Sequence, residues 1–150
     1  MLKINVRGGK RYTFAAHIND MLLPREKAES IEAFLVIIKP GEYTHPHFHA
    51  DNEQLYYVIL GRGKGIFTEK DGTRREVELL PEDVIFVPRF TEHQIFCTSK
   101  DEPLNYLCVD GFPESKPKGE PTWDDHYREV LAEQKRKGMT MRCWGDGVVG

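Results

Sequence analysis

The sequence has few cysteines, no long apolar run and no signal-like N-terminus. Its three cysteines, Cys97, Cys108 and Cys143, form no CxxC pair, so they favour reduced thiols over a disulfide framework. The longest apolar runs, 34–38 and 55–60, are far too short to cross a bilayer. The first residues also lack the apolar core of a signal peptide. We therefore predict a cytoplasmic protein with no membrane partner.

Charge of one sign is not concentrated anywhere in the chain. Lys and Arg number 21 against 24 Asp and Glu, which gives a formal net charge of -3 without a basic stripe. A nucleic-acid partner is therefore not expected. A chain of 150 residues can bury one proper core, so we predict a single domain.

Short segments rich in β-branched and aromatic residues fill the first two thirds of the chain. Turn residues separate them, and Asp71-Gly72 is a strong hairpin signal because both residue types tolerate positive φ. The pattern predicts an all-β sandwich or barrel. The predicted strands are 11–18, 31–40, 55–60, 65–69, 75–79, 84–88, 94–98 and 104–109.

Composition divides the chain into three parts. Residues 1–111 hold the predicted strands, the Pro-rich and charged stretch 112–121 is predicted to be an exposed linker, and 122–150 differ from both. In this last part an amphipathic helix is predicted over about 123–137, packed on the barrel or on a second subunit. The helix would begin at Thr122, with Asp125 completing its cap. Apolar side chains recur at helical spacing at Trp123, Tyr127, Val130 and Leu131.

Three histidines alternate in the stretch THPHFHADNEQ, at positions 45, 47 and 49. Residues two apart in a strand share a face, so His47 and His49 would present both imidazoles to one space, where a metal ion can bridge them. Histidines in a Pro-containing loop are also often merely solvated. His93 follows a strand and a proline turn, which is the position expected of a third ligand from a neighbouring hairpin.

Together these stretches resemble the cupin family, whose first motif has the form G(x)5HxH(x)3–4E(x)6G. Gly41, His47, His49, Gln54 and Gly61 fit this motif at every spacing. Only the acidic residue differs, because Gln54 stands in its place.

The second cupin motif has the form G(x)5PxG(x)2H(x)3N and is partly matched by residues 81–97. Pro88 and His93 fit it, Phe90 stands where the glycine usually sits, and Cys97 stands where the asparagine usually sits. The resemblance covers about residues 30–110.

The resemblance implies a double-stranded β-helix, the cupin jelly-roll barrel, holding one divalent transition metal (Mn, Fe, Zn, Ni or Co). Its ligands would be His47, His49, His93 and a fourth group. Gln54 has the six intervening residues before Gly61 that the motif requires, whereas Glu53 has seven and would face the other side of the strand. Gln54 is therefore the predicted fourth ligand, with a water molecule or Glu53 as the alternatives.

Three neutral imidazoles and a neutral amide would leave the ion's charge of about +2 uncompensated, which makes it a stronger Lewis acid. The first hypothesis is therefore a metalloenzyme that polarises a small oxygenated substrate for isomerase or lyase chemistry. The second is a non-haem iron dioxygenase, and the third is a metal-dependent sugar or small-ligand binding module without turnover. A homodimer is expected from the family resemblance.

Several further residues are candidates for the substrate pocket. Cys97 shares the strand parity of His93, although a free cysteine is often only a small buried hydrophobe. His45 is predicted to be a rim residue, and His17 and His126 are predicted to be structural or surface residues. The candidate pocket residues are Tyr56, Phe86, Phe90, Ile95, Cys97 and His45.

Overall fold

Alternation of buried and more accessible residues along the strands builds two antiparallel sheets, as in the strand Leu104–Gly111, where every second residue is buried. The protein is described from a computed structural model, which covers residues 1–139. Its β-rich fold with one C-terminal helix confirms the predicted jelly-roll barrel class. Within residues 1–139 the strands and the α-helix are β1 (Arg11–Thr13), β2 (Ile18–Leu23), β3 (Ile31–Ile38), β4 (Glu53–Leu60), β5 (Gly63–Thr68), β6 (Arg74–Leu79), β7 (Val84–Val87), β8 (Glu92–Cys97), β9 (Leu104–Gly111) and α1 (Trp123–Arg136). Short 3-10 helices lie at Val6–Gly8 and Arg25–Lys27.

The larger sheet has the strand order β1-β2-β3-β9-β4-β7, and the smaller one has the order β6-β5-β8. The prediction of a single strand over 11–18 is wrong, because the chain turns back between β1 and β2. The amide of Phe14 donates to the carbonyl of His17 across this turn, and β2 then pairs with β3. The turn places Phe14 and His17 beside the barrel interior.

Left-handed backbone occurs at glycine positions of both motifs. Gly41 and Gly61 have φ of +79° and +80°, and a Cβ at Gly61 would lie 2.3 Å from the carbonyl oxygen of Pro103. In the second motif the two glycine positions hold Glu82 and Phe90, whose φ values are +76° and +66°. The backbone path of the motif is thus kept without its glycines, at the conformational cost that side chains carry in this region.

The helix α1 begins as predicted. Thr122 and Asp125 form a capping box, in which each side chain accepts from the other residue's backbone N–H. Trp123 is fully buried, and its ring packs against Tyr12 and Phe34 with centroids 5.0 and 5.2 Å apart. The helix therefore packs on the barrel of its own chain.

The segment 112–121 has no regular secondary structure, but it is held to the barrel at several points. Phe112 is buried, and the Lys116 ammonium donates to the backbone carbonyls of Arg25 (2.6 Å) and Ala28. Six of its ten residues are exposed, and these contacts hold the others to the barrel. Residues 140–150, with the predicted tail and Cys143, lie outside the described residues. No helix within residues 1–139 has the length and apolarity needed to cross a membrane.

Candidate metal centre

Backbone pairing brings the HxH segment to β8. His47 and His93 exchange two backbone hydrogen bonds, of 3.2 and 2.9 Å, and the amide of Phe90 donates to the carbonyl of His49 at 2.8 Å. Thr44 extends the pairing, since its amide donates to the carbonyl of Ile95. The proximity of the three histidines is therefore fixed by main-chain contacts.

The side chains of His47, His49 and His93 converge. One ring nitrogen of each lies within 4.8 Å of the others, and the His47 and His93 ring centroids are 4.3 Å apart. The Nδ1 atoms of His47 and His93 donate to the backbone carbonyls of His45 (2.7 Å) and Thr91 (3.0 Å). Because a carbonyl can only accept, each of these rings carries its proton on Nδ1 and keeps the Nε2 lone pair for a ligand.

The pKa of each of the three imidazoles is lowered, which favours the neutral form. Burial lowers the pKa of His93 to about 3, lowers that of His49 well below its ordinary value and also lowers that of His47, whose exposed surface lies at the cavity. The Nε2 atom of His49 is buried without a hydrogen-bond partner. Neutral imidazoles with convergent nitrogens, one of them unsatisfied, suit a divalent transition metal, whose bonds to nitrogen are about 2.0–2.1 Å long. The donor set therefore fits the implied metal.

Gln54 is buried on the inner face of β4, and Glu53 is exposed on the outer face. The Gln54 Nε2 donates to Oδ1 of Asp110 at 2.8 Å, and its Oε1 accepts from the Tyr56 hydroxyl at 2.6 Å. An amide oxygen has two lone pairs, so Oε1 keeps one for a further interaction. The amide is therefore held in one orientation before any ligand binds.

Gln54 belongs to a row of polar residues that crosses three neighbouring strands. Asp110 on β9 lies opposite Gln54 on one side and opposite Glu32 of β3 on the other. Burial and the Glu32 carboxylate raise the pKa of Asp110 well above its ordinary value. Glu32 accepts two hydrogen bonds from the Arg25 guanidinium, at 2.9 and 3.1 Å. One buried cation thus pairs with Glu32, and Asp110 lies beside this ion pair at the base of the site.

A cavity of about 410 Å³ opens from the histidines between the barrel and α1. Of the predicted pocket residues, His45, Tyr56 and Ile95 line it, together with the three histidines and Gln54. Their inward positions follow from strand parity on β4 and β8.

The other three predicted pocket residues do not line this cavity, which corrects their assignment. Phe86 is 57% exposed, because it lies opposite Leu55 on the outer face of the large sheet. Phe90 is 40% exposed, and its left-handed backbone turns the ring outwards to Phe48. Cys97 is buried near the far end of β8, where its thiol donates to the carbonyl of Glu102 at 3.7 Å.

Sequence reasoning missed several residues that line the cavity. His17 and His126, predicted to be structural or surface residues, lie on its wall, as do Trp123 and Asp110. The inward position of Asp110 could have been predicted from the sequence, since it continues the alternation of Tyr106 and Cys108 along β9. The positions of His17, Trp123 and His126 could not have been predicted, because they depend on the turn after β1 and on the packing of α1.

The chain is similar to two kinds of curated enzyme and to a solved cupin structure. It is 28% identical over 92 residues to a glucose-6-phosphate isomerase of Thermococcus onnurineus, covering 56% of this chain and 48% of the relative. It is 27% identical over 107 residues to the oxalate decarboxylase OxdC of Bacillus subtilis, covering 71% of this chain and 24% of the relative. The cupin domain of Schizosaccharomyces pombe Cnp3 shares the fold, with a TM-score of 0.62, 15% identity and coverage of 93% and 82%.

The chain spans about half the length of the glucose-6-phosphate isomerases that it matches. A family model described as the cupin domain matches residues 34–110, a span that contains the three convergent histidines, Gln54 and Asp110. The span also holds most of β3 to β9, and the chain therefore belongs to the cupin domain family.

Proposed function

We propose that the protein is a metal-dependent enzyme that acts on a small oxygenated substrate by isomerase or lyase chemistry. The proposed ligands of its divalent ion are His47, His49, His93 and Gln54. The observation that carries the proposal is the convergence of three neutral imidazoles. Two of these rings are oriented by hydrogen bonds to the backbone carbonyls of His45 and Thr91. The similarity to glucose-6-phosphate isomerases and to oxalate decarboxylase supports an enzyme on a small molecule.

The residues of the site divide into groups that hold an ion and groups that shape the space beside it. A bound divalent ion supplies a Lewis acid that polarises a substrate oxygen and lowers the pKa of a bound hydroxyl group. The Tyr56 hydroxyl and Asp110 keep the Gln54 amide oriented, which limits the reorganisation needed on binding. Trp123 and Phe14 exclude water from the inner wall of the cavity.

Metal analysis of the full chain purified without added ions tests the proposal. We expect about one divalent ion per chain, with no oxygen consumption when candidate hydroxy and keto acids are supplied. Tightly bound iron with oxygen uptake would instead establish a dioxygenase. A bound ion without turnover of any substrate that binds to it would establish a binding module.

Gln54→Glu tests whether residue 54 belongs to the coordination sphere. Without metal, the variant should lose about 1–3 kcal/mol of unfolding free energy, because the amide that donates to Asp110 is gone. With metal, its affinity for the ion should exceed that of the wild type, because a carboxylate neutralises one of the ion's charges. Chemical denaturation and metal titration measure the two effects.

Gln54→Leu is the matched control for this substitution. It removes the same hydrogen bond without adding a charge, so it should lower stability and not raise metal affinity. If Gln54→Glu left the metal affinity unchanged, Gln54 would lie outside the coordination sphere.

A homodimer is also part of the proposal, formed through the outer face of β4 and β7. This face exposes five apolar side chains, and within residues 1–139 its edge strand β7 pairs with β4 alone. The five residues are Leu55, Tyr57, Ile59, Val84 and Phe86. The free, buried thiols of Cys97 and Cys108 suit the proposed cytoplasmic location.

Phe86→Glu should weaken the dimer at least about tenfold, because it places a charge in the centre of an apolar contact. Sedimentation velocity over a range of protein concentrations measures the shift to monomer. Phe86→Leu keeps the face apolar and should leave the dimer largely intact. A wild-type protein that sediments as a monomer at all concentrations would exclude this part of the proposal.

A further inference from the structure

Much of the cavity wall is built outside the span that matches the cupin family. Phe14 comes from the turn between β1 and β2, and Trp123 and Val130 come from α1, whereas the family match begins at residue 34 and ends at residue 110. The shape of the cavity beside the histidines therefore depends on elements that lie outside the family match. Phe14, Trp123 and Val130 form an apolar stretch of this wall, which Phe34 and Val36 of β3 continue. Polar side chains, among them His17, Asn19 and His126, line other parts of it.

Basic side chains are scarce on the cavity wall. Among the described residues that line it, the only Lys and Arg are Arg136 and Lys137, near the last turn of α1. Both contact the Glu133 carboxylate, at 2.7 and 3.1 Å. Glu129 adds a further negative charge to this rim. The rim therefore offers no net positive charge to an incoming anion.

The N-terminus of α1 offers no anion site to replace these basic groups. Its first amide, at Trp123, donates to the Glu26 carboxylate at 3.1 Å, and the Asp125 amide donates to the Thr122 hydroxyl. Asp124 and Asp125 also place two acidic residues in the first turn. Phosphoryl groups are usually bound by Arg, Lys or free helix amides, so the described part of this cavity has no place for one.

We infer that the ligand of this site is a non-phosphorylated oxygen chelator with a compact, uncharged apolar body. This inference rests on the proposed function, because the neutral ligand set leaves the ion's positive charge to attract the anionic head of the chelator. The apolar body lies against the wall formed by Phe14, Trp123 and Val130. The cavity of about 410 Å³ has the volume of roughly a dozen water molecules, so it accommodates more than a two-carbon dicarboxylate. The site thus differs in substrate class from both enzymes to which the chain is similar.

Ligand titrations of the cobalt-loaded full chain test the inference through the visible absorption of the ion. Pyruvate and phenylpyruvate share one 2-oxo acid head and differ in the apolar body, and glucose 6-phosphate represents the phosphorylated class. Phenylpyruvate should bind at least about tenfold more tightly than pyruvate, because the cavity removes its ring from water. Glucose 6-phosphate should bind more weakly than phenylpyruvate.

A pair of isosteric substitutions tests whether the apolar wall causes the preference for phenylpyruvate over pyruvate. Val130→Thr places a hydroxyl group on the apolar wall and should reduce the ratio of phenylpyruvate to pyruvate affinity at least severalfold. Val77→Thr is the control, because Val77 is also partly buried against the core but does not line the cavity. The Val77 variant should keep the wild-type ratio.

The outcomes separate this inference from the proposed function. Equal affinities for the two oxo acids, or tighter binding of glucose 6-phosphate, would overturn the inference and leave the metal site intact. An equal change of the ratio in both valine variants would also overturn it. Cobalt that responds to none of the three ligands would likewise overturn the inference alone. A chain that binds no cobalt would overturn the proposed function itself.

Discussion

Replacing His93 by alanine is expected to lower the affinity for the divalent ion by at least about 100-fold, the upper range for losing a group that only supports a ligand. His93 is 2% exposed, and its ring is held by the Thr91 carbonyl, so its Nε2 needs little reorganisation to bind. In this variant two imidazoles and the Gln54 amide remain as ligands. They cannot replace the nitrogen that His93 supplies. Competition with a chromophoric chelator measures the affinity directly.

His45→Ala provides the matched control for this experiment. His45 belongs to the same loop and lines the same cavity, but its ring is not part of the convergent histidine cluster. The control should keep wild-type metal affinity. Denaturation of both metal-free variants separates loss of a ligand from loss of the fold. Undiminished metal binding by a folded His93→Ala protein would refute the proposed centre.

Replacing Arg25 by methionine is expected to lower the free energy of unfolding by about 3–5 kcal/mol. Arg25 and Glu32 are 2% and 1% exposed, so the substitution leaves a carboxylate buried without its cation. Asp110 lies beside Glu32 and adds a second carboxyl group to the same space. The guanidinium also donates to the backbone carbonyl of Glu120 at 3.1 Å, which holds the segment before α1. Chemical denaturation measures the loss.

The double variant Arg25→Met/Glu32→Gln identifies the cause of this loss. It removes the stranded charge, so it should recover a large part of the lost stability even if the single variant does not fold. An uncharged pair of similar size is often no less stable than a buried ion pair. Equal destabilisation by the single and double variants would show that the contact with Glu120, and not the buried charge, is responsible.

Strand parity predicted the inner face of β4 correctly, with Gln54 buried and Glu53 exposed. It succeeded because the side-chain period of a strand is two and the motif fixed which face carries the site. Phe86 of β7, a candidate pocket residue, lies instead on the outer face of the sheet. There both faces of a short edge strand carry apolar residues, so hydrophobicity does not distinguish the inner Val87 from the outer Phe86.

The polar row beneath the site could not be derived from the sequence. Glu32 and Asp110 lie far apart in the chain, and only the register of β3 against β9 makes the two carboxyl groups neighbours. The cavity wall depends in the same way on long-range packing. Trp123 and His126 reach the cavity because α1 packs back on the barrel of its own chain, which helical periodicity alone leaves undecided.

The sequence by itself determined the all-β class, the spaced histidines of the centre and the start of the C-terminal helix. These features are local, because they follow from residue spacing, strand period and capping within short stretches of chain. The tertiary structure alone decided which strands are neighbours, how Gln54 is bound by Asp110 and Tyr56, and what surrounds the ligand space. Those features join residues from distant parts of the chain, and their contacts exist only once the strand order and the place of α1 are set.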